Sequence, residues 1–172
     1  MKILVFSDSH GDSAYMRAAL RAHRGDTDLV YYLGDGIRDF ADAMADFPST
    51  PHIVISGNND SAIAAVAAGM EPVSRDVRTL DGVRILAVHG HSERVKWGHE
   101  SLICKAAETG ADLVLFGHTH TPENRCVTAP FESERRIHLF NPGAVGPSLA
   151  HTYGVIYVIS GKISADHGYA TL

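Results

Sequence analysis

The sequence predicts an α/β fold in which two mixed sheets stack face to face with helices on the outside. Three observations lead there. The first half alternates short apolar runs with amphipathic stretches, as β-α units do. The second half carries apolar runs paired across turn dipeptides. Together the runs are too many for one open sheet to hold comfortably. At 172 residues the chain reads as a single domain over 1–172, long enough to bury a substantial core.

Each element follows from its local pattern. Lys2–Phe6 is a continuous apolar run of the buried-strand type. A helix is expected from about Asp12, with Met16, Ala19, Leu20 and His23 on one face and Gly25 as its stop. Asp28–Leu33 is a second strand, and Ile37, Phe40, Ala41 and Met44 mark a second helix. His52–Ile55 is a third strand, followed by an Ala-rich helix over Ala62–Ala68. Pro72–Leu80 and Val83–Val88 flank Asp81-Gly82, a hairpin signal. A helix from about Glu100 to Thr109 stops at Gly110, and Leu113–Phe116 is the next strand. Arg125–Val127, Ile137–Phe140, Val155–Ile159 and Lys162–Gly168 complete the strands, with Ser160-Gly161 as another hairpin turn.

Composition excludes several classes. The formal net charge is −5 with no basic block, which argues against a nucleic-acid partner. No segment is apolar for long enough to span a membrane, and the N-terminal apolar run ends at Phe6 before Asp8, unlike a signal peptide. Cys104 and Cys126 stand far apart outside any C-x-x-C pattern, as buried thiols of a reducing, cytoplasmic compartment would.

Histidine is the unusual component, with 11 in the chain. Five expected strands end in Asp, Asn or His beside glycine: Asp8 and His10, Asp35, Asn58, His89 with His91, and His118 with His120. Alone, Asp35 between two glycines reads as a turn residue, and Asn58-Asn59-Asp60 as a helix-capping cluster with Asp60 or Ser61 at the cap. Jointly they read differently, because ligands of open α/β sheets bind beyond the carboxyl ends of the strands. Without His91 these are seven oxygen and nitrogen donors, more than one ion needs. They suit two divalent ions about 4 Å apart that share a carboxylate. Imidazole and carboxylate donors without thiolate point to manganese, iron, zinc or nickel rather than calcium. Two such ions against Asp8, Asp35 and a bridging hydroxide leave about one net positive charge, suited to an anionic phosphoryl group and hydroxide attack on phosphorus.

The motifs SDSHGD, LGDG, GNND, VHGH and GHTHTP, in that order, resemble those of the calcineurin-like metallophosphoesterases, and FNPGAVG resembles their small prokaryotic phosphodiesterase branch. The resemblance implies a four-layer α/β/β/α sandwich with a dinuclear centre between the sheets. It implies Asp8, His10 and His120 on one ion, Asn58, His89 and His118 on the other, and Asp35 bridging, with manganese expected first and nickel, iron or zinc as alternatives. It further implies hydrolysis of a small phosphate ester, more specifically a diester, and a homo-oligomer such as a dimer or tetramer. One position departs from the pattern. Many relatives carry histidine where this chain has Asn59, and an amide cannot protonate a leaving group as imidazolium can. Aryl esters and other good leaving groups are therefore the expected substrates, with His91 near the phosphate and Asn59 a candidate catalytic position. Arg94, Lys96 and Trp97, in the loop after His91, are candidate substrate contacts, whereas Arg38 and Asp39 read as a solvated helix face. His23, His52, His99, His138, His151 and His167 read as structural or surface residues, and Asn141-Pro142-Gly143 as a supporting turn. The alternative is a non-catalytic metal-binding scaffold, as in the eukaryotic retromer subunit of this fold.

Overall fold

A computed structural model describes residues 1–130 and 132–172. Its architecture is the four-layer α/β/β/α sandwich. One sheet orders its strands β10-β9-β1-β2-β3, where β1 is Lys2–Phe6, β2 Leu29–Tyr32, β3 His52–Val54, β9 Thr152–Ile159 and β10 Lys162–Tyr169. The other runs β4-β5-β6-β8-β7, with β4 Arg75–Leu80, β5 Val83–Val88, β6 Leu113–Leu115, β7 Glu123–Ala129 and β8 Glu132–Asn141. Helices α1 (Ala14–Ala22), α2 (Ile37–Met44) and α3 (Ala62–Ala67) cover the first sheet, and α4 (Glu100–Thr109) covers the second.

Why the central strands are apolar throughout follows from their two buried faces. In β1, Ile3 and Val5 join the core between the sheets, while Leu4 and Phe6 pack against α1 and α2. In β5, Val83, Ile85 and Ala87 face the other sheet, and Leu86 and Val88 face α4. Leu113 and Leu115 of β6 repeat the inward pattern, with Val114 turned toward α4. Phe140 of β8 crosses the gap between the sheets and occupies the space left by Gly154 of β9.

The parallel ladders aim the strand ends. β1, β2 and β3 run parallel as neighbours, and β5 and β6 do the same in the second sheet. The second half is therefore not a series of hairpins alone, because β5, β6 and β8 form a parallel core with β4 and β7 hairpinned on its edges. β7 and β8 exceed the expected Arg125–Val127 and Ile137–Phe140, because backbone pairing continues through polar residues with one exposed face. Helix α1 starts two residues late, at Ala14, because the Asp12 carboxylate accepts the Ala14 N–H at 2.8 Å and ends the preceding turn. Gly110 closes α4 in the left-handed conformation, as the sequence predicts. The cysteines depart from expectation: Cys104 and Cys126 are exposed. Cys104 lies on α4 away from its buried residues Leu102 and Ala106, and Cys126 lies on edge strand β7 opposite His138.

A methyl group at Gly154 would collide with the Phe140 ring and crowd Val5. Gly154→Ala is therefore expected to lower stability by about 1–3 kcal/mol, read as a lower urea midpoint with an unchanged m-value.

Candidate metal centre

The loops leaving β1, β2, β3, β5 and β6 meet at one end of the sandwich. Backbone bonds lace them together. Asp8 N–H donates to Gly34 at 2.9 Å, His10 N–H to Asp35 at 3.2 Å, and Gly117 N–H to His89 at 2.9 Å. Five of the seven expected ligands, Asp8, His10, Asp35, His118 and His120, have φ between 44° and 68°. Non-glycine residues rarely adopt this left-handed region, and such strain gathers at functional sites.

Two side-chain clusters result. Asp8, His10 and His120 present donor atoms within 4.8 Å of one another, and so do Asp35, His89 and His118. The His10 and His120 Nε2 atoms lie 3.1 Å apart, and His120 Nε2 lies 3.2 Å from Asp8 Oδ1. Two ligands about 2.1 Å from one ion and at right angles to it would stand ~3.0 Å apart. In the second cluster His89 Nε2 is 3.6 Å from Asp35 Oδ2 and 3.1 Å from Asn58 Oδ1. Asp35 lies between the clusters, since the same Oδ2 is 3.9 Å from His10 Nε2.

The chemistry of these donors fits a divalent cation. Asp8 Oδ1 is buried without a hydrogen-bond partner, while Oδ2 accepts Ser7 Oγ–H at 2.5 Å and the His118 N–H at 3.0 Å. One oxygen is thus fixed and the other left with free lone pairs. His89 Nδ1–H donates to the Leu33 carbonyl at 2.7 Å, which turns Nε2 toward Asp35 and Asn58. Burial opposes charge on this ring, but its bond to Asp35 and the Asp8 and Asp35 charges raise its pKa. A cation bound there would displace the Nε2 proton. Burial opposes charge on Asp35, but bonds from His89 and Asn59 and the His89 charge outweigh it and hold the carboxyl well below its usual range. Burial, then the charges of His89, Lys96 and His91, push His118 down to about 4 despite Asp8. At neutral pH that ring is unprotonated and able to bind a cation.

Surrounding groups hold the donors in place. Asn59 donates twice to Asp35, through its N–H at 2.8 Å and its Nδ2–H at 2.6 Å. Its side chain therefore turns to the carboxylate. Asp60 accepts four backbone N–H groups: Asp35 at 2.8 Å, Gly36 at 2.9 Å, Ile37 at 3.0 Å and Gly57 at 2.8 Å. The cap of α3 is Ser61, and Asp60 instead serves the start of α2. Buried Asn141 donates to the Gly117 carbonyl and to Thr119 Oγ1, both at 3.0 Å, and so braces the loop that carries His118 and His120. Asp39 is no solvated bystander, because it accepts Ser9 Oγ–H and the Gly11 N–H, both at 2.7 Å. Sequence reasoning missed these roles for Asp39 and Asp60, which depend on tertiary neighbours. A methyl group at Gly57 would collide with the Asp35 carboxylate, and one at Gly117 with Ser7.

His91 lies outside both clusters, with its ring edge-on to His118 at 5.1 Å between centroids. Arg38 is exposed. The other six histidines serve elsewhere: His23 contacts Lys2 and Tyr153, His52 Thr50, His99 Arg125 and Glu123, His138 Asn124, His151 Gly146, and His167 the Asn141 carbonyl.

A sandwich with two oxygen-and-nitrogen clusters at its strand ends defines a class of metal-dependent phosphoesterases. Residues 1–161 match the calcineurin-like phosphoesterase superfamily domain, and the chain belongs to that superfamily. It is 28% identical over 145 residues to the probable metallophosphoesterase YsnB of Bacillus subtilis (strain 168), covering 84% of this chain and 75% of that protein. Among solved structures it resembles a novel archaeal phosphodiesterase, with TM-score 0.73, 20% identity and coverage of 97% and 99%. It also resembles wild-type Vps29 from Entamoeba histolytica complexed with zinc, with TM-score 0.70, 18% identity and coverage of 98% and 99%. The superfamily and the two clusters together support a metal-dependent phosphoesterase.

Removing the Asn59 side-chain bond to Asp35, while its backbone N–H bond stays, tests the support. Asn59→Ala is expected to weaken manganese binding about 10–100-fold, the usual cost of losing an outer partner of a metal ligand. Calorimetric titration of metal-stripped protein measures it.

Proposed function

We propose that the chain is a divalent-metal-dependent phosphodiesterase with a dinuclear centre. Asp8, His10 and His120 would hold one ion, Asn58, His89 and His118 the other, with Asp35 between them. Bound there, two divalent ions supply Lewis acidity to phosphoryl oxygens and lower the pKa of water to near neutrality. The chain supplies the rest. Asn59 and Asp60 fix the orientation of Asp35 and the backbone that carries it, and Ser7 orients Asp8.

The observation that carries the diester reading is a pair of recesses beside the second cluster. One, of about 180 Å³, is lined by Ser56, Asn58, Ser74, His89, His91 and Ser92 among others. The other, of about 450 Å³, is lined by His91, Arg94, Lys96, Trp97 and His118. They share His91. A phosphate held at the centre would thus have a recess for each of two ester arms, where a monoester needs one. His91 at their boundary is placed to meet a non-bridging oxygen or the departing oxygen.

The test is hydrolysis of bis(p-nitrophenyl) phosphate and of p-nitrophenyl phosphate by protein stripped of metal and then given manganese, nickel, zinc or iron. Metal-restored turnover favouring the diester is expected, reduced at least about 100-fold in Asp35→Ala and His89→Ala. A monoester preference would overturn the diester reading. Two bound ions per chain without turnover of either ester would leave a metal-binding scaffold.

A further inference from the structure

The larger recess has a construction that metal binding does not require. Its walls come from the loop between β5 and α4, a compact turn in which Arg94 N–H donates to His91 at 3.0 Å, Val95 N–H to Gly90 at 3.2 Å and Trp97 N–H to Arg94 at 2.9 Å. Two anchors sink this loop into the protein. Val95 is buried in the core beneath α4, and buried Glu93 is ion-paired with Lys105 of that helix. Alternation along the loop then sends the remaining side chains outward. Arg94 is held at φ 56°, and Arg94 and Lys96 are exposed. Neither has a carboxylate partner among the described residues, in a chain of net charge −5. Trp97 is the only tryptophan of the chain, and 90% of its surface is exposed. Burying a tryptophan usually removes about 150–250 Å² from water, so an anchored loop that displays one forgoes a large stabilisation. Among the described residues no carboxylate lines this recess, which His118 also borders.

Resting on the phosphodiesterase reading, we infer that this recess recognises an ester arm that combines a planar ring with a negative charge of its own, the chemistry of a nucleotide. The ring stacks on Trp97, a contact that any base can make because every base has a π-face. Arg94 and Lys96 bind the additional phosphate by charge-assisted hydrogen bonds. The smaller recess, lined by three serines, takes the polar second arm.

A single tryptophan makes the subsite directly observable. Zinc-loaded protein would be titrated with ADP, adenosine and pyrophosphate while Trp97 fluorescence is followed. Saturable quenching by ADP is expected, with adenosine at least tenfold weaker and pyrophosphate without effect on the emission. The double variant Arg94→Ala/Lys96→Ala should lose at least tenfold in ADP affinity while binding the same amount of zinc. No quenching by ADP, equal affinity for ADP and adenosine, or undiminished affinity in the double variant would each overturn the subsite. Turnover of bis(p-nitrophenyl) phosphate by the same preparation separates the two readings. Hydrolysis without ADP quenching removes the subsite and leaves the phosphodiesterase, while quenching without hydrolysis does the reverse.

Discussion

The arrangement of the site depends most on one carboxylate that touches no expected ligand donor atom. Asp60 draws together the N–H groups of Asp35, Gly36, Ile37 and Gly57, and so joins the ends of β2 and β3 to the start of α2. Helix α2 has no side-chain cap of its own, since Gly36 occupies the N-cap. Its first free donors would otherwise be left to water, and an anion at a helix N-terminus is favoured by the helix dipole as well. The same four bonds hold Asp35 at φ 62°, with its carboxylate against Asn59. From there the order extends across the gap. Leu33, just before this turn, accepts His89 Nδ1–H from the second sheet, and His89 in turn faces Asn58 and Asp35.

Backbone strain gives this lacing an energetic meaning. Each non-glycine residue in the left-handed region costs of order 1–3 kcal/mol and persists only where its surroundings enforce it. Five expected ligands are enforced at once, by bonds from Gly34, Asp35, Asp60, Asn141 and their neighbours. A cation that prefers the folded donors to the unfolded chain then adds stability in proportion to the logarithm of its concentration.

What could be read from the sequence divides along the same line. β1, β5 and β6 were legible because a strand buried on two faces must be apolar throughout, and the expected ligands stood out because their motifs carry glycine at strand ends. The long edge pair β7 and β8 was less so, since backbone pairing of exposed polar residues leaves no periodic signal. Asp60 and Asp39 carry no local signature at all. Asp60 lies 25 residues from Asp35 in the chain, and Asp39 reaches Ser9 and Gly11 only because β1 and β2 pair in parallel. Short-range rules give Asp60 to a helix cap and Asp39 to a solvated helix face, and only the packing of neighbouring strands reveals their work. The resemblance to a family supplied the division of ligands between two ions, which spacing alone left open.

Asn59 shows how one residue type shifts the chemistry a site can offer. Its amide engages both oxygens of Asp35, once through the main chain and once through the side chain, and so gives orientation where an imidazole would give a proton. The imidazole outside the clusters that borders both recesses is His91. A leaving group that departs as a stable anion needs no proton, and one that does not must draw it from His91 or from water. A nucleotide arm esterified through its sugar would leave as an alkoxide, so its proton falls to His91 or to water, while Trp97 beside His118 serves to hold the ring.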